Sequence, residues 1–396
     1  MKRSLLPLLI LIVGLPQLSE TIYTPSLPDI AHALSVSDAW VEYTFTIYLA
    51  GYAVGILLWG RLSDRLARKP CVLAGLFIYI LGCVGCYFSE SIQLLMFSRF
   101  IQAFGGGAGS VLGHAICKDA FHGAERGKVY ATIGSVLAFS PALGPIIGGI
   151  IDQTFEWSAV FLFLIGMGLI VFIATYFKLP ETHLHASAPV VPMHNILIRL
   201  IKDPRVIAYG IIIAACNGIL FSFYAEGSFY MIEVLGLNPS TYGASFIGIA
   251  SAGALGGWLT RKMHDHMTSI AILKRGIHIL MVGSIIFLLM TFILSLLNDT
   301  PKIASLILTL GCVMIMMTGI AMIIPSSLSP SLENYKKAIG TASSLFGFFY
   351  YMIASLFTLG MGFIHNGTLF PMPIYFFGIG VLIWIVFSKW IDNEHK

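Results

Sequence analysis

The stretch Gly60-Arg61-Leu62-Ser63-Asp64-Arg65-Leu66-Ala67-Arg68-Lys69-Pro70 decides how this chain is read. It separates two apolar runs, 41–60 and 71–89. Each is about as long as the roughly 20 residues a helix needs to cross a bilayer. Four basic residues crowd into the connection with Gly60 and Asp64. Lys and Arg gather in the cytoplasmic loops of membrane proteins, so this connection is expected inside. Gly60 reads as the pivot of a close turn. Asp64 reads as a helix cap, or as an acceptor for the basic side chains beside it.

Further apolar segments lie on both sides of this stretch, near 5–24, 93–117, 128–151, 157–178, 206–232, 241–260, 271–297, 303–325, 338–364 and 370–390. Twelve membrane spans are expected. The composition agrees: 57% of residues are hydrophobic and 11% charged, against about 25% charged in soluble domains. A net charge of +4 is too small to suggest nucleic acid. With the N-terminus inside, twenty-one of the 23 Lys and Arg fall on the inner side, Lys302 falls outside and Arg99 lies within a helix. That asymmetry sets both termini in the cytoplasm of a multi-pass protein of the bacterial inner membrane. The apolar run after Met1-Lys2-Arg3 has no A-x-A cleavage site, so it reads as a retained first helix.

One long polar connection, 180–204, divides the chain into six-helix bundles at 1–179 and 205–396. It holds Pro180, Pro189, Pro192 and Pro204 with His183, His185 and His194, which read as solvated rather than metal-binding. A weak repeat links the halves: Gly60-Arg61-Leu62-Ser63 has a counterpart in Gly257-Trp258-Leu259-Thr260. Such repeats build a central site that opens alternately to either side. Cys83 and Cys86 form a C-x-x-C, but all six cysteines lie in or beside apolar stretches, so neither a disulfide framework nor a metal is expected.

Three ionisable residues stand out within the helices: Glu20, Arg99 and Glu226. A mid-membrane Arg costs about 2.5–3.5 kcal/mol on insertion scales, so it is seldom kept without a partner or a task. At 1.5 Å per residue all three occupy one outer layer, which permits pairing. Glu20 or Glu226 is the expected proton carrier, with Arg99 tuning its proton affinity; a static ion pair is the plain alternative. The substrate cavity is expected to draw on Tyr23, Tyr48, Phe139, Asn217, Tyr224, Glu226, Tyr230, Phe346 and Tyr350. An acid among aromatics suits organic cations, although packing alone would explain many of these rings. The Gly105–Gly109 run lacks the G-K-[ST] of a phosphate loop, so ATP is not the direct energy source. No catalytic constellation or cofactor motif is present, and no enzyme activity is expected.

The Gly60–Lys69 segment fills every position of G-x-x-x-D-R-x-x-R-K and so resembles the signature loop of the major facilitator superfamily. The resemblance implies an all-α membrane fold of twelve helices in two pseudo-symmetric six-helix bundles. It also implies that Gly60, Asp64, Arg65, Arg68 and Lys69 form a conformational latch, with Asp64 meeting the start of the eleventh helix near Ala338–Gly340. Arg99-Phe100-Ile101-Gln102 is similar to the family's R-x-x-Q-G, whose Arg assists proton transfer, but Gly105 comes three residues after Gln102. Gly144-Pro145-Ile146-Ile147-Gly148-Gly149 resembles the antiporter motif of drug exporters; on its residues alone it is a tightly packed, bent helix. Tyr23-Thr24-Pro25-Ser26-Leu27-Pro28 and Gly340-Thr341-Ala342-Ser343-Ser344-Leu345 resemble the bicyclomycin-resistance (Bcr/CflA-like) drug:proton antiporters. There the first-helix acid falls at Thr21, so Glu20 is displaced by one position. The implied function is proton-coupled export of small amphipathic or cationic compounds by a monomer that needs only substrate, protons and a lipid bilayer. Proton-coupled transport of a specific metabolite, such as a siderophore or amino-acid-like compound, in either direction, stays open.

Overall fold

The computed structural model describes residues 2–137, 139–182, 193–296 and 301–392. Among these the regular structure is entirely helical. The first part holds α1 (Lys2–Thr21), α2 (Leu27–Leu34), α3 (Asp38–Leu66), α4 (Arg68–Tyr87), α5 (Ile92–Ala120), α6 (Gly123–Leu137), α7 (Ser140–Thr154) and α8 (Ala159–Lys178). The short α9 (Met193–Lys202) follows. The second part holds α10 (Pro204–Phe229), α11 (Pro239–His264), α12 (Ser269–Leu296), α13 (Lys302–Ser331), α14 (Ile339–Ile364) and α15 (Pro371–Trp390). Among the described residues, nine helical segments are long and apolar enough to cross a membrane. Helices satisfy their own backbone hydrogen bonds, which is what hydrocarbon demands of a spanning segment.

The expected segments are recovered with three differences. The stretch 128–151 is two helices, α6 and α7, and Pro141 sits in the first turn of α7, where a missing N–H costs nothing. The stretch 303–325 runs on to Ser331 through Pro325 and Pro330. The first helix stops at Thr21, and the Tyr23–Pro28 motif turns through a short 3-10 helix, Thr24–Ser26, into α2. Of the linker residues, His194 lies in α9, while His183, His185, Pro189 and Pro192 lie outside the described residues.

Gly60 corrects the reading of the signature loop. It is not at a turn: α3 continues through it to Leu66, and the chain turns at Ala67, with φ +88°. A Cβ on Gly60 would stand 2.8 Å from Ser344 Oγ and 3.2 Å from Val111. The glycine therefore serves close approach between α3 and α14. Asp64 does not reach 338–340 through any described bond. It accepts from Arg68 Nη1 at 2.7 Å, and Arg68 Nε also donates to Asp119 at 3.1 Å. Glu181 accepts from the backbone N–H groups of Arg68 and Lys69, while Arg65 is exposed.

Within the first part, α3 and α4 pack on α5; within the second, α11 and α12 pack on α13. Two long seams join the parts, α3 against α14 and α7 against α11. The antiporter-like motif sits on the second seam. Side chains added at Gly144 and Gly148 would strike Thr21 and Ile22 at the end of α1, and one at Gly149 would strike the Pro239 carbonyl. Gly243 of α11 lies equally close to the Pro145 carbonyl, and Ser240 Oγ donates to Gly149 O at 3.1 Å. This contact is at the end of the bundle away from Arg61–Lys69. Toward the basic end, Gly127 and Gly134 of α6 and Gly253 and Gly257 of α11 face open space.

Candidate substrate and proton-coupling site

Arg99 organises the first cluster. It is fully buried, and its guanidinium carbon lies 3.8 Å from the Tyr23 ring centre and 4.1 Å from that of Tyr48. A desolvated cation between aromatic faces gains about 2 kcal/mol or more. Its Nη1 donates to Gln102 Oε1 at 2.6 Å and to Ser19 O at 3.4 Å, and Gln102 Nε2 in turn meets Cys83 Sγ at 3.1 Å. Gln102 and Cys83 are thus supports for the arginine, one turn and one helix away. Tyr48 is fixed from the other side, its hydroxyl donating to Pro16 O at 2.8 Å.

Glu20 lies beside this cluster, feeling the charge of Arg99 without bonding to it. It is half-buried, and its Oε1 has no hydrogen-bond partner. Tyr48 and Tyr52 of α3, Tyr224 of α10, and Tyr350 and Tyr351 of α14 lie in its neighbourhood. Tyr52 and Tyr351 meet edge to face across the seam, ring centres 4.9 Å apart. Glu20 therefore lies in the neighbourhood of phenolic rings from both parts of the chain. The neighbouring Thr21 points instead at Gly144, so the one-position displacement turns the acid away from α7.

Glu226 does not join Arg99; the expected pairing is not formed. It lies in a second cluster at the end opposite the basic loops. His365 Nδ1 is 2.8 Å from Glu226 Oε2 and 3.9 Å from Glu42 Oε1, and His365 Nε2 is 3.3 Å from Asp38 Oδ2. Glu233 pairs with His32 close by, at 3.3 Å. Burial alone would lower the His365 pKa, but hydrogen bonds to Asp38 and Glu226, and their charges, push it up to about 10. The cluster ties α3 to α10 and α14.

The other expected cavity residues are spread more widely. Tyr224 is buried among Phe221, Phe223 and Phe246, and its carbonyl accepts from Tyr242. Phe346 and Tyr350 pack together, ring centres 5.7 Å apart. Asn217 Nδ2 bonds its own helix at Ile213 O, 2.9 Å away. Tyr230 is buried beside the second cluster, and Phe139 is 58% exposed at the start of α7. Glu42, Asp38 and His365 were absent from the sequence reading. Asp38 and Glu42 could have been found, because carboxylates four apart share one helix face. His365 stands in a short loop with no local signal.

The family model of the Major Facilitator Superfamily matches residues 9–359. The chain belongs to this superfamily. A Rickettsia felis protein described as an uncharacterized transporter is 34% identical, covering 96% of this chain and 95% of its own. A bicyclomycin resistance protein homolog of Haemophilus influenzae is 33% identical over 59% of each chain, in keeping with the Bcr/CflA-like motifs. The fold matches a partially occluded, inward-open structure of the xylose transporter XylE from E. coli, with TM-score 0.75 and 13% identity over 98% of this chain and 97% of that one. As a superfamily member the chain is a multi-pass membrane transporter of small molecules.

Proposed function

We propose that this transporter is a proton-coupled antiporter that exports small amphipathic or cationic compounds by alternating access. It spans the bacterial inner membrane twelve times, with α1 and α2 counted as one span and α6 and α7 as another. Both termini are cytoplasmic, bundles 1–179 and 205–396 flank the linker 180–204, and the monomer is the working unit. The observation that carries the reading is Glu20: a half-buried carboxylate with an oxygen that has no hydrogen-bond partner, near Arg99 and in the neighbourhood of tyrosines of both bundles. A proton and an organic cation would compete for that oxygen, and this competition is the essence of antiport. Tyrosine faces would add cation–π attraction for the substrate. The name of the Haemophilus relative favours a drug as cargo. Glu226, held by His365, belongs to the closure of the outer end rather than to the proton path.

Everted membrane vesicles with a panel of cationic and amphipathic compounds test this. Uptake into wild-type vesicles should depend on the proton gradient and fall by about tenfold or more in Glu20→Gln, equivalent to at least one pKa-unit's worth of coupling energy. Glu226→Gln should slow turnover but keep the gradient dependence. Full gradient-driven flux in Glu20→Gln would remove the proposed role.

A further inference from the structure

We infer that the cluster at the outer end is a binding site for a first-row divalent cation, Zn²⁺ above all, which staples the two bundles together on that side. The ligands are Glu42 of α3, Glu226 of α10 and His365 after α14. One ligand atom from each lies within 4.8 Å of the other two. Tetrahedral zinc, with bonds near 2.0–2.2 Å, needs its donors roughly 3.3–3.6 Å apart, so small side-chain rotations suffice. Two carboxylates and an imidazole are a donor set that takes Zn²⁺ while leaving a fourth position open.

Two observations beyond the acidic cluster itself point to a bound cation. The Glu42 side chain is 1% exposed, yet neither of its oxygens has a hydrogen-bond partner, and its Oε1 lies 3.9 Å from the His365 Nδ1 that bonds Glu226. A buried carboxylate without a donor is costly, and a cation between Glu42 and Glu226 removes that cost. His365 also has the carboxylate partner that zinc-binding histidines carry on the nitrogen away from the metal. Asp38 Oδ2 accepts from Nε2 at 3.3 Å, and Nδ1 is aimed at the two glutamates; Zn²⁺ on Nδ1 would displace the proton that now bonds it to Glu226, which is released to solvent. A cavity of about 30 Å³ lined by Asp38, Glu226, Glu233, His365 and Thr368 adjoins two of the three ligands and has room for a water.

The ligands come from both bundles, so the site exists only while the outer end is closed. A bound cation holds that state, and external Zn²⁺ slows turnover whatever the cargo. A proton shared by Glu42 and Glu226 is the competing occupant, and metal binding itself distinguishes the two. The experiment uses the full-length protein, stripped with chelator, in detergent. Zn²⁺ is titrated calorimetrically and Co²⁺ by visible absorption. Wild type should bind one equivalent with a tetrahedral cobalt spectrum and gain thermal stability with Zn²⁺. Affinity should fall at least tenfold in Glu42→Gln and in His365→Gln, and about 10–100-fold in Asp38→Asn, the usual range for a partner of a ligand histidine. Glu42→Asp keeps the donor and replaces Glu42→Gln if that variant does not fold. Wild type that takes up protons but no stoichiometric metal overturns the inference. So does binding that is undiminished in His365→Gln, which would place the metal on the linker histidines or the cysteines.

Discussion

At the scale of single residues, Arg99 shows how a costly charge is made tolerable without a salt bridge. Its guanidinium lies against Tyr23 and Tyr48 and bonds Gln102 and Ser19 O, while Nε and Nη2 have no acceptor. Lysine cannot reproduce this, because a compact ammonium does not lie flat between two rings and also reach both oxygens. Arg99→Lys should therefore cut gradient-driven transport by about tenfold or more, a loss of at least 1.4 kcal/mol on the rate-determining step. The vesicle assay would read it, and a melting curve of the purified protein would separate it from misfolding. Arg99 was legible in the sequence because its type is so improbable at that depth. Its partners were not: Tyr23 and Tyr48 looked like substrate residues, and only packing shows that their faces are already occupied. Glu226 was equally visible, but its partner His365 lies 139 residues away.

At the scale of helices, glycine placement separates contact from mere composition. Gly148 lies so close to the Ile22 carbonyl that no side chain fits, and the obstacle is backbone, which cannot rotate aside. Gly134, in the helix just before, has nothing within 4 Å of its Cβ position. Gly148→Ala should force α7 away from α1 and cost about 1–3 kcal/mol. Gly134→Ala should leave stability unchanged or slightly higher, since alanine is the better helix former. Paired melting curves of the two variants check the contrast, and equal melting temperatures would mean that α7 does not sit against α1 as described. The sequence revealed that the 144–149 motif packs tightly, because small residues and proline have few other uses in a span. It misjudged Gly60 for a related reason. A glycine beside basic residues looks like a turn, and only the Ser344 hydroxyl opposite shows that it is a helix-crossing point.

At the scale of the whole molecule, the two bundles are joined unevenly. At the end away from the basic loops α7 meets α11 through Gly149 and Ser240, and α3 meets α14 and α10 through Asp38, Glu42, His365 and Glu226. Tyr43 also touches Phe363 there, ring centres 5.6 Å apart. On the basic side Gly127 and Gly134 of α6 and Gly253 and Gly257 of α11 have nothing within 4 Å of their Cβ positions, and Asp64 is bonded within its own bundle. The bonds and ring contacts that cross between the two parts thus gather at the end away from the basic loops, while at the basic end Gly60 of α3 packs against Ser344 of α14. The latch expected between Asp64 and 338–340 is not formed among the described bonds, because Asp64 is held by Arg68 of the same loop, and a reading from one loop could name the contact but not place it. A cysteine pair tests the asymmetry. With Tyr43→Cys and Phe363→Cys, a short bifunctional thiol reagent should bridge α3 and α14 in resting membranes, and the native cysteines are buried out of its reach. Bridged protein should lose transport by about tenfold or more, because neither bundle can then swing open outward, while each single variant treated alike keeps its flux. A reducible reagent should restore transport on reduction. Rapid bridging with transport intact would mean that these helix ends do not part during the cycle, and the outer closure would then have to lie along α7 and α11 alone.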